Sequence, residues 1–238
     1  MKSDLIYGKH PIKEALEEGK SFDKIFVQRG TDGEFLKTIK SLAFSRNIPL
    51  QIAPQEKLNR ITRKNHQGIA GFLSPIDFYK IEDVLPHIYE QGETPLLLIL
   101  DGITDVRNFG AIARTAVCTG AHAIIIFHKN AAPANADALK TSAGALAKLQ
   151  VCRERSAGET IDFLQLNGVQ ILASDLRAQQ FNFELDSTPP TAIVLGPEDE
   201  GISREFITKA DQLFKIPQTK KMNSYNVSVS AGIVLYET

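Results

Sequence analysis

The chain has 238 residues, 43% hydrophobic and 23% charged, with a formal net charge of −1. That is the make-up of a globular protein of one or two domains. No apolar run approaches the ~18–20 residues of a membrane span. Met1-Lys2-Ser3-Asp4 leads into a mixed segment without a signal-peptide core. Two cysteines, Cys118 and Cys152, have no neighbours at metal-ligand spacing. Both are read as buried small residues, and a reducing, cytoplasmic setting is expected.

The net charge hides an asymmetry. Residues 1–75 carry thirteen Lys and Arg against eight Asp and Glu, whereas residues 76–238 carry fourteen against twenty. A basic front part on an acidic remainder points to an anionic partner held by the front.

Taken in chain order, the first 75 residues alternate helix and strand signals. Pro11 suits a first helical turn, and the helix runs to Gly19. Lys24–Gln28 reads as a strand stopped by Gly30. Phe35, Leu36, Ile39, Leu42 and Ala43 mark one helical face between Gly33 and Asn47. Pro49–Ile52 is a short strand, Pro54 opens a helix through Leu58 and Ile61, and Gly68–Leu73 closes the unit as a strand. Residues 76–94 form a linker with a short amphipathic helix around Ile81, Leu85 and Tyr89. Pro95–Leu100, Ala123–Phe127, Val169–Ala173 and Ala192–Leu195 are apolar runs of the kind buried on both sheet faces. Helical segments separate them, so a second α/β domain over residues 95–238 should hold a mostly parallel sheet.

Three segments place polar residues or glycine just beyond such strands, where parallel sheets bind ligands. The first is Asn108-Phe109-Gly110-Ala111-Ile112-Ala113-Arg114. Asn108 is placed to cap the helix. Arg114 lies one turn after Gly110 and is expected to cross the bare glycine toward the helix start, where guanidinium and free N–H groups hold a phosphate. The second is Leu195-Gly196-Pro197-Glu198-Asp199-Glu200-Gly201, with Glu198 at the mouth of the sheet and Ser203 capping the next helix. The third is Ile216-Pro217 and, after a polar loop, Met222-Asn223-Ser224-Tyr225-Asn226-Val227-Ser228-Val229. Local alternation reads Val227–Val229 as a strand, while the small residues Ser228, Ser230, Ala231 and Gly232 also suit a closely packed helix. Both readings remain open on local rules.

In the front part, Arg60-Ile61-Thr62-Arg63-Lys64-Asn65-His66 follows a helix. Arg60, Arg63, Lys64 and His66 are assigned to contact with the phosphates of an anionic partner, which the resemblance described below makes an RNA. The absences also count. There is no Gly-x-x-x-x-Gly-Lys-Ser/Thr loop and no Gly-x-Gly-x-x-Gly turn, which disfavours P-loop and dinucleotide enzymes. The five histidines show no metal-ligand pair, so no metal is expected.

In this order, the three segments resemble the signature motifs of the SpoU/TrmH family of RNA ribose 2′-O-methyltransferases, within the SPOUT superfamily. The resemblance covers roughly residues 95–238. Residues 1–75 resemble the family's L30e-like substrate-binding domain through Tyr7-Gly8-Lys9-His10-Pro11 and Asn65-His66-Gln67-Gly68. The two-domain layout is most similar to the subgroup that methylates a guanosine of 23S rRNA.

The resemblance implies a deep trefoil knot, a homodimer, and S-adenosylmethionine bound in a bent shape within the knot. It also makes the third segment a helix start. It implies a catalytic set of Asn108, Arg114, Glu198, Ser224 and Asn226. The cofactor positions it implies are Leu195, Gly196, Ile216, Tyr225 and Asn226, with Tyr225 standing where the family usually has Leu. A guanidinium stays protonated, so Arg114 is expected to clamp phosphate and stabilise an alkoxide rather than act as a base. A tRNA ribose methyltransferase and a non-catalytic RNA-binding or ribosome-assembly protein on the same scaffold are the alternatives.

Overall fold

The computed structural model describes residues 5–219, 221 and 224–238. Met1–Asp4 and, from the third segment, Met222 and Asn223 lie outside the described residues. The chain divides into two compact units, Met1–Asp77 and Phe78–Thr238.

The first unit runs β1 (Leu5–Tyr7), α1 (Lys9–Glu17), β2 (Phe22–Gln28), α2 (Gly33–Ser45), β3 (Leu50–Ala53), α3 (Gln55–Ile61) and β4 (Ile69–Leu73). Its sheet has the order β1-β4-β2-β3, antiparallel except for the β2–β3 pair. One core gathers Ile12 and Leu16 of α1, Ile39 of α2 and Phe22, Ile25 and Val27 of β2. A smaller cluster sets Leu58 of α3 against Phe26 and Ala70. Strand alternation produces the two sets, because neighbours in a strand point to opposite faces. Gly71 is small by necessity. A Cβ there would stand 2.9 Å from the Phe22 ring.

The second unit continues with α4 (Ile81–Glu90), β5 (Leu96–Leu100), α5 (Val106–Cys118), β6 (Ala123–Phe127), α6 (Ala136–Thr141), β7 (Gln150–Glu154), α7 (Ala157–Leu166), β8 (Gln170–Ser174), β9 (Gln180–Phe181), β10 (Thr191–Leu195), α8 (Arg204–Lys209), β11 (Gln212–Lys215) and α9 (Val227–Glu237). The seven strands form one sheet, ordered β7-β6-β5-β10-β8-β11-β9, and every pairing is parallel. The fold is α/β with a parallel sheet, as the apolar runs implied. Leu97, Ile99, Ile125, Ile171 and Val194 form one core with Leu85 of α4 and Phe206 of α8. The alternate residues Leu98, Ile124 and Ile193 are buried as well, so the central strands are apolar throughout. Burying each such side chain contributes about 1.5–3 kcal/mol.

Strands β7, β9 and β11 lack a long apolar run, which is why periodicity did not find them. Arg153 of β7 is nonetheless buried, its guanidinium 3.2 Å from the centre of the Phe78 ring. From Val227 onward the third segment is a helix, not a strand. Asn226 caps α9, its side chain accepting from the Ser228 N–H. Cys152 is buried as expected, whereas Cys118, the last residue of α5, is exposed. No helix among the described residues is long and apolar enough to cross a membrane.

Candidate active site

The neighbouring strands β10, β8 and β11 end side by side. Just beyond their C-terminal ends is a cleft of about 370 Å³, lined among others by Leu195, Gly196, Glu198, Ile216, Ser224 and Tyr225. This is where a parallel sheet binds ligands, because the loops diverge there and leave backbone groups accessible. Gly196 permits the turn. A Cβ on it would stand 2.5–2.6 Å from the carbonyl of Gly201 and the nitrogen of Ile202. The Gly201 N–H donates to the Pro197 carbonyl at 2.9 Å, folding the acidic loop back on itself. Tyr225 is 39% exposed, and its hydroxyl donates to the Pro217 carbonyl at 3.2 Å.

Asn226 ties three distant segments together. Its Nδ2 donates to Glu198 Oε1 at 2.8 Å and to Asn108 Oδ1 at 3.1 Å. Its Oδ1 accepts from the backbone and the hydroxyl of Ser228, at 3.0 and 2.6 Å. Glu198 Oε1 also accepts from the Val227 N–H at 3.0 Å, so its carboxylate sits at the N-terminus of α9, where negative charge is favoured. One residue from each of the three sequence segments thus meets at a single point. Ser224 lies half-buried in the wall of the cleft.

Three details of the first segment differ from expectation. Asp105, not Asn108, caps α5, accepting from the N–H groups of Arg107 and Asn108 at 2.7 and 3.0 Å. Asn108 therefore lies in the first turn, with its amide turned toward Asn226. The Asp105 carboxylate fills the place proposed for a phosphate, and those same two N–H bonds, with the Arg107 side chain, hold it below the usual carboxylate range. Gly110 is buried, and a Cβ on it would stand 2.8 Å from Thr141 Cβ and 2.9 Å from the Ala138 carbonyl. The bare glycine admits α6 and does not clear a path for Arg114. Arg114 is exposed on α5, is not among the residues lining the cleft and forms no ion pair among the described residues.

In the first unit, Arg60, Arg63 and Lys64 are exposed around the end of α3, with Lys64 Nζ 5.8 Å from the centre of the Tyr7 ring. His66 is different. It is 8% exposed. One ring nitrogen meets Asn59 Oδ1 at 2.9 Å and the other accepts from the Gly68 N–H at 3.0 Å. Both ring nitrogens thus hold the loop before β4 in this structure.

Sequence reasoning missed Asp175-Leu176-Arg177, which follows β8 and lines the same cleft. Its signal was available, since these polar residues stand just beyond a buried strand as the second segment does. It also missed Asp105, three residues before Asn108. Among the described residues lining the cleft, four are acidic (Asp175, Glu198, Asp199 and Glu200) and Arg177 is the one strong cation. Such a lining suits a ligand with an apolar ring and a positive centre.

Residues 95–236 match the SpoU rRNA methylase family, and residues 5–79 match the substrate-binding domain of RNA 2′-O ribose methyltransferases. A Bacillus subtilis (strain 168) protein assigned to the TrmH family of tRNA/rRNA methyltransferases is 30% identical over 98% of this chain and 94% of its own length. The fold is similar to that of an AdoMet-bound rRNA methyltransferase from Sinorhizobium meliloti, with a TM-score of 0.62 and 22% identity over 98% of this chain and 85% of that one. It is also similar to a TrmH/SpoU tRNA modifying enzyme of A. aeolicus, with a TM-score of 0.55 and 30% identity over 66% of this chain and 81% of that one.

Proposed function

This chain belongs to the SpoU family of RNA 2′-O-methyltransferases, and from that premise we propose that it methylates a ribose 2′-hydroxyl of ribosomal RNA, specifically a guanosine of 23S rRNA, with S-adenosylmethionine as methyl donor. The observation that carries this reading is the meeting of Asn108, Glu198 and Asn226 beside a cleft at the ends of parallel strands. The residues present fit the cofactor. Leu195, Gly196, Ile216 and Tyr225 offer backbone and apolar wall to an adenosine, and the acidic lining suits a sulfonium. A cleft of about 370 Å³ lies within the range of small-molecule pockets, roughly 300–1,000 Å³.

The cofactor supplies a methyl group on a good leaving group. The chain's part is to position the ribose hydroxyl and favour loss of its proton. Asn226 and Asn108 fix the relation between α5, α9 and the acidic loop, and Ser224 offers a hydroxyl at the cleft wall. The fixed positive charge of Arg114 serves an RNA phosphate and the developing alkoxide. Arg60, Arg63 and Lys64 take the sequence-independent share of RNA binding from the front unit, residues 1–75, ahead of a linker at 76–94 and the methyltransferase domain at 95–238.

Two further features belong to the same reading. One is a homodimer. Val227, Ala231, Val234 and Leu235 of α9 are buried within the chain, while Val229 is 49% and Tyr236 85% exposed. Apolar residues left on the open side of a helix call for cover, and a second copy supplies it. The other is a deep trefoil knot. It is supported by the place of β10 between β5 and β8 and by the return of α9 onto α5.

Ribosomal RNA is favoured over tRNA because residues 95–236 match a family described as SpoU rRNA methylases. The test is single-turnover methylation of 23S rRNA and of total tRNA by the purified chain, with the modified riboses mapped. Methylation of 23S rRNA at one guanosine is expected. Methylation of tRNA alone overturns the substrate, and cofactor binding without methylation of either RNA supports a non-catalytic role.

A further inference from the structure

We infer that Arg177, clamped by Asp175, recognises the carboxylate of the cofactor's amino-acid tail, an inference that rests on reading the cleft as the S-adenosylmethionine site. Asp175 is the first residue after β8. Its N–H donates to the Phe214 carbonyl at 2.8 Å and its carbonyl accepts from the Ala178 N–H at 3.0 Å. The turn is thereby fixed to β11 on one side and closed on itself on the other.

The Asp175 side chain is 8% exposed. Its Oδ1 accepts from the Arg177 N–H at 2.7 Å and from Nε at 3.0 Å, and its Oδ2 accepts from Nη2 at 2.7 Å. The arginine's hydrogen bond, ahead of its charge, holds this carboxyl below the usual carboxylate range. Both carboxylate oxygens therefore accept hydrogen bonds from Arg177. Asp175 orients the guanidinium.

The arginine's own position is the reverse. Its side chain is 76% exposed, and the contact with Asp175 uses only Nε and one proton of Nη2. A guanidinium has five N–H donors in a rigid fork, so its outer edge, Nη1 and the second Nη2 proton, remains available for a second carboxylate in the two-pronged geometry arginine favours. Arg177 is the one strong cation among the described residues lining the cleft, alongside Asp175, Glu198, Asp199 and Glu200. The acidic residues suit the sulfonium and ammonium of S-adenosylmethionine but oppose its carboxylate. A pre-oriented arginine on the same wall removes that conflict, at low entropic cost because Asp175 already holds it.

The experiment is calorimetric titration of the full chain and its Arg177→Ala and Arg177→Lys variants with two nucleosides. S-adenosylhomocysteine carries the amino-acid tail, and 5′-methylthioadenosine lacks it. The expected result is a loss of about 10- to 100-fold in S-adenosylhomocysteine affinity for Arg177→Ala, the range of a charge-assisted hydrogen bond. Affinity for 5′-methylthioadenosine should be unchanged, and Arg177→Lys should fall between. Equal losses for both nucleosides make Arg177 a support of pocket shape and overturn the inference. Unchanged affinity for both overturns it too, and weaker RNA binding in that case moves Arg177 to the RNA phosphates. If the wild-type chain binds neither nucleoside, the cofactor reading itself fails. If it binds both equally, only the role of Arg177 fails.

Discussion

Two residues carry the sharpest tests at the smallest scale. A Cβ on Gly196 would stand 2.5 Å from the backbone carbonyl carbon of Gly201, and backbone cannot step aside as a flexible side chain does. Gly196→Ala is expected to cost roughly 1–3 kcal/mol, the usual range for overpacking, and to weaken S-adenosylhomocysteine binding as the acidic loop shifts. Thermal melting and calorimetric titration check both parts, and a variant with wild-type melting and affinity would show that the loop yields freely. Arg114 stands on the surface of α5 without an ion pair among the described residues, a free cation rather than a structural one. Arg114→Ala is expected to lower single-turnover methylation by about 10²–10³-fold. Arg114→Lys should keep part of the rate, because it retains the charge but not the fork. Cofactor affinity should hold in both variants, and near-normal turnover by Arg114→Ala would remove the residue from the mechanism.

At the scale of elements, α3 and α9 show how local signals succeed and fail. The polar run around the end of α3 separates into exposed Arg60, Arg63 and Lys64 and buried His66. Changing the three cations to Ala together should weaken RNA binding. The slope of log affinity against log salt should fall by about 0.7 for each phosphate of single-stranded RNA that is no longer neutralised. Filter-binding titrations across salt measure this, and an unchanged slope returns the run to solvent. For α9, the alternation Val227-Ser228-Val229-Ser230 has the period of a strand. The helix forms because Asn226 caps its start, Glu198 accepts the Val227 N–H and α5 packs along its side. Two of those three partners are distant in sequence, so no window around residue 227 contains the deciding interactions.

The largest-scale prediction concerns the exposed side of α9, where a second copy is proposed to sit. Val229 is half exposed within one chain, so Val229→Asp should cost a protomer little stability but place a charge in any interface along that helix. Sedimentation of the variant is expected to show monomers where the wild type shows dimers, with methylation reduced in parallel. A wild-type chain that sediments as a monomer and methylates RNA at full rate would end the dimer proposal.

The sequence by itself determined the α/β class, the buried parallel strands and the basic front part. It also determined the three segments at strand ends, because each depends on composition, on a period or on a neighbour in the chain. Only the tertiary structure decided that Asp105 caps α5, that Gly110 makes room for α6 and that His66 holds its own loop. Only the fold brought Asn108, Glu198 and Asn226 together and placed Asp175 and Arg177 on the same cleft. The physical reason is that a hydrogen bond or a steric limit acts over about 3 Å in space. A chain that must bury its apolar strands brings together residues more than a hundred positions apart.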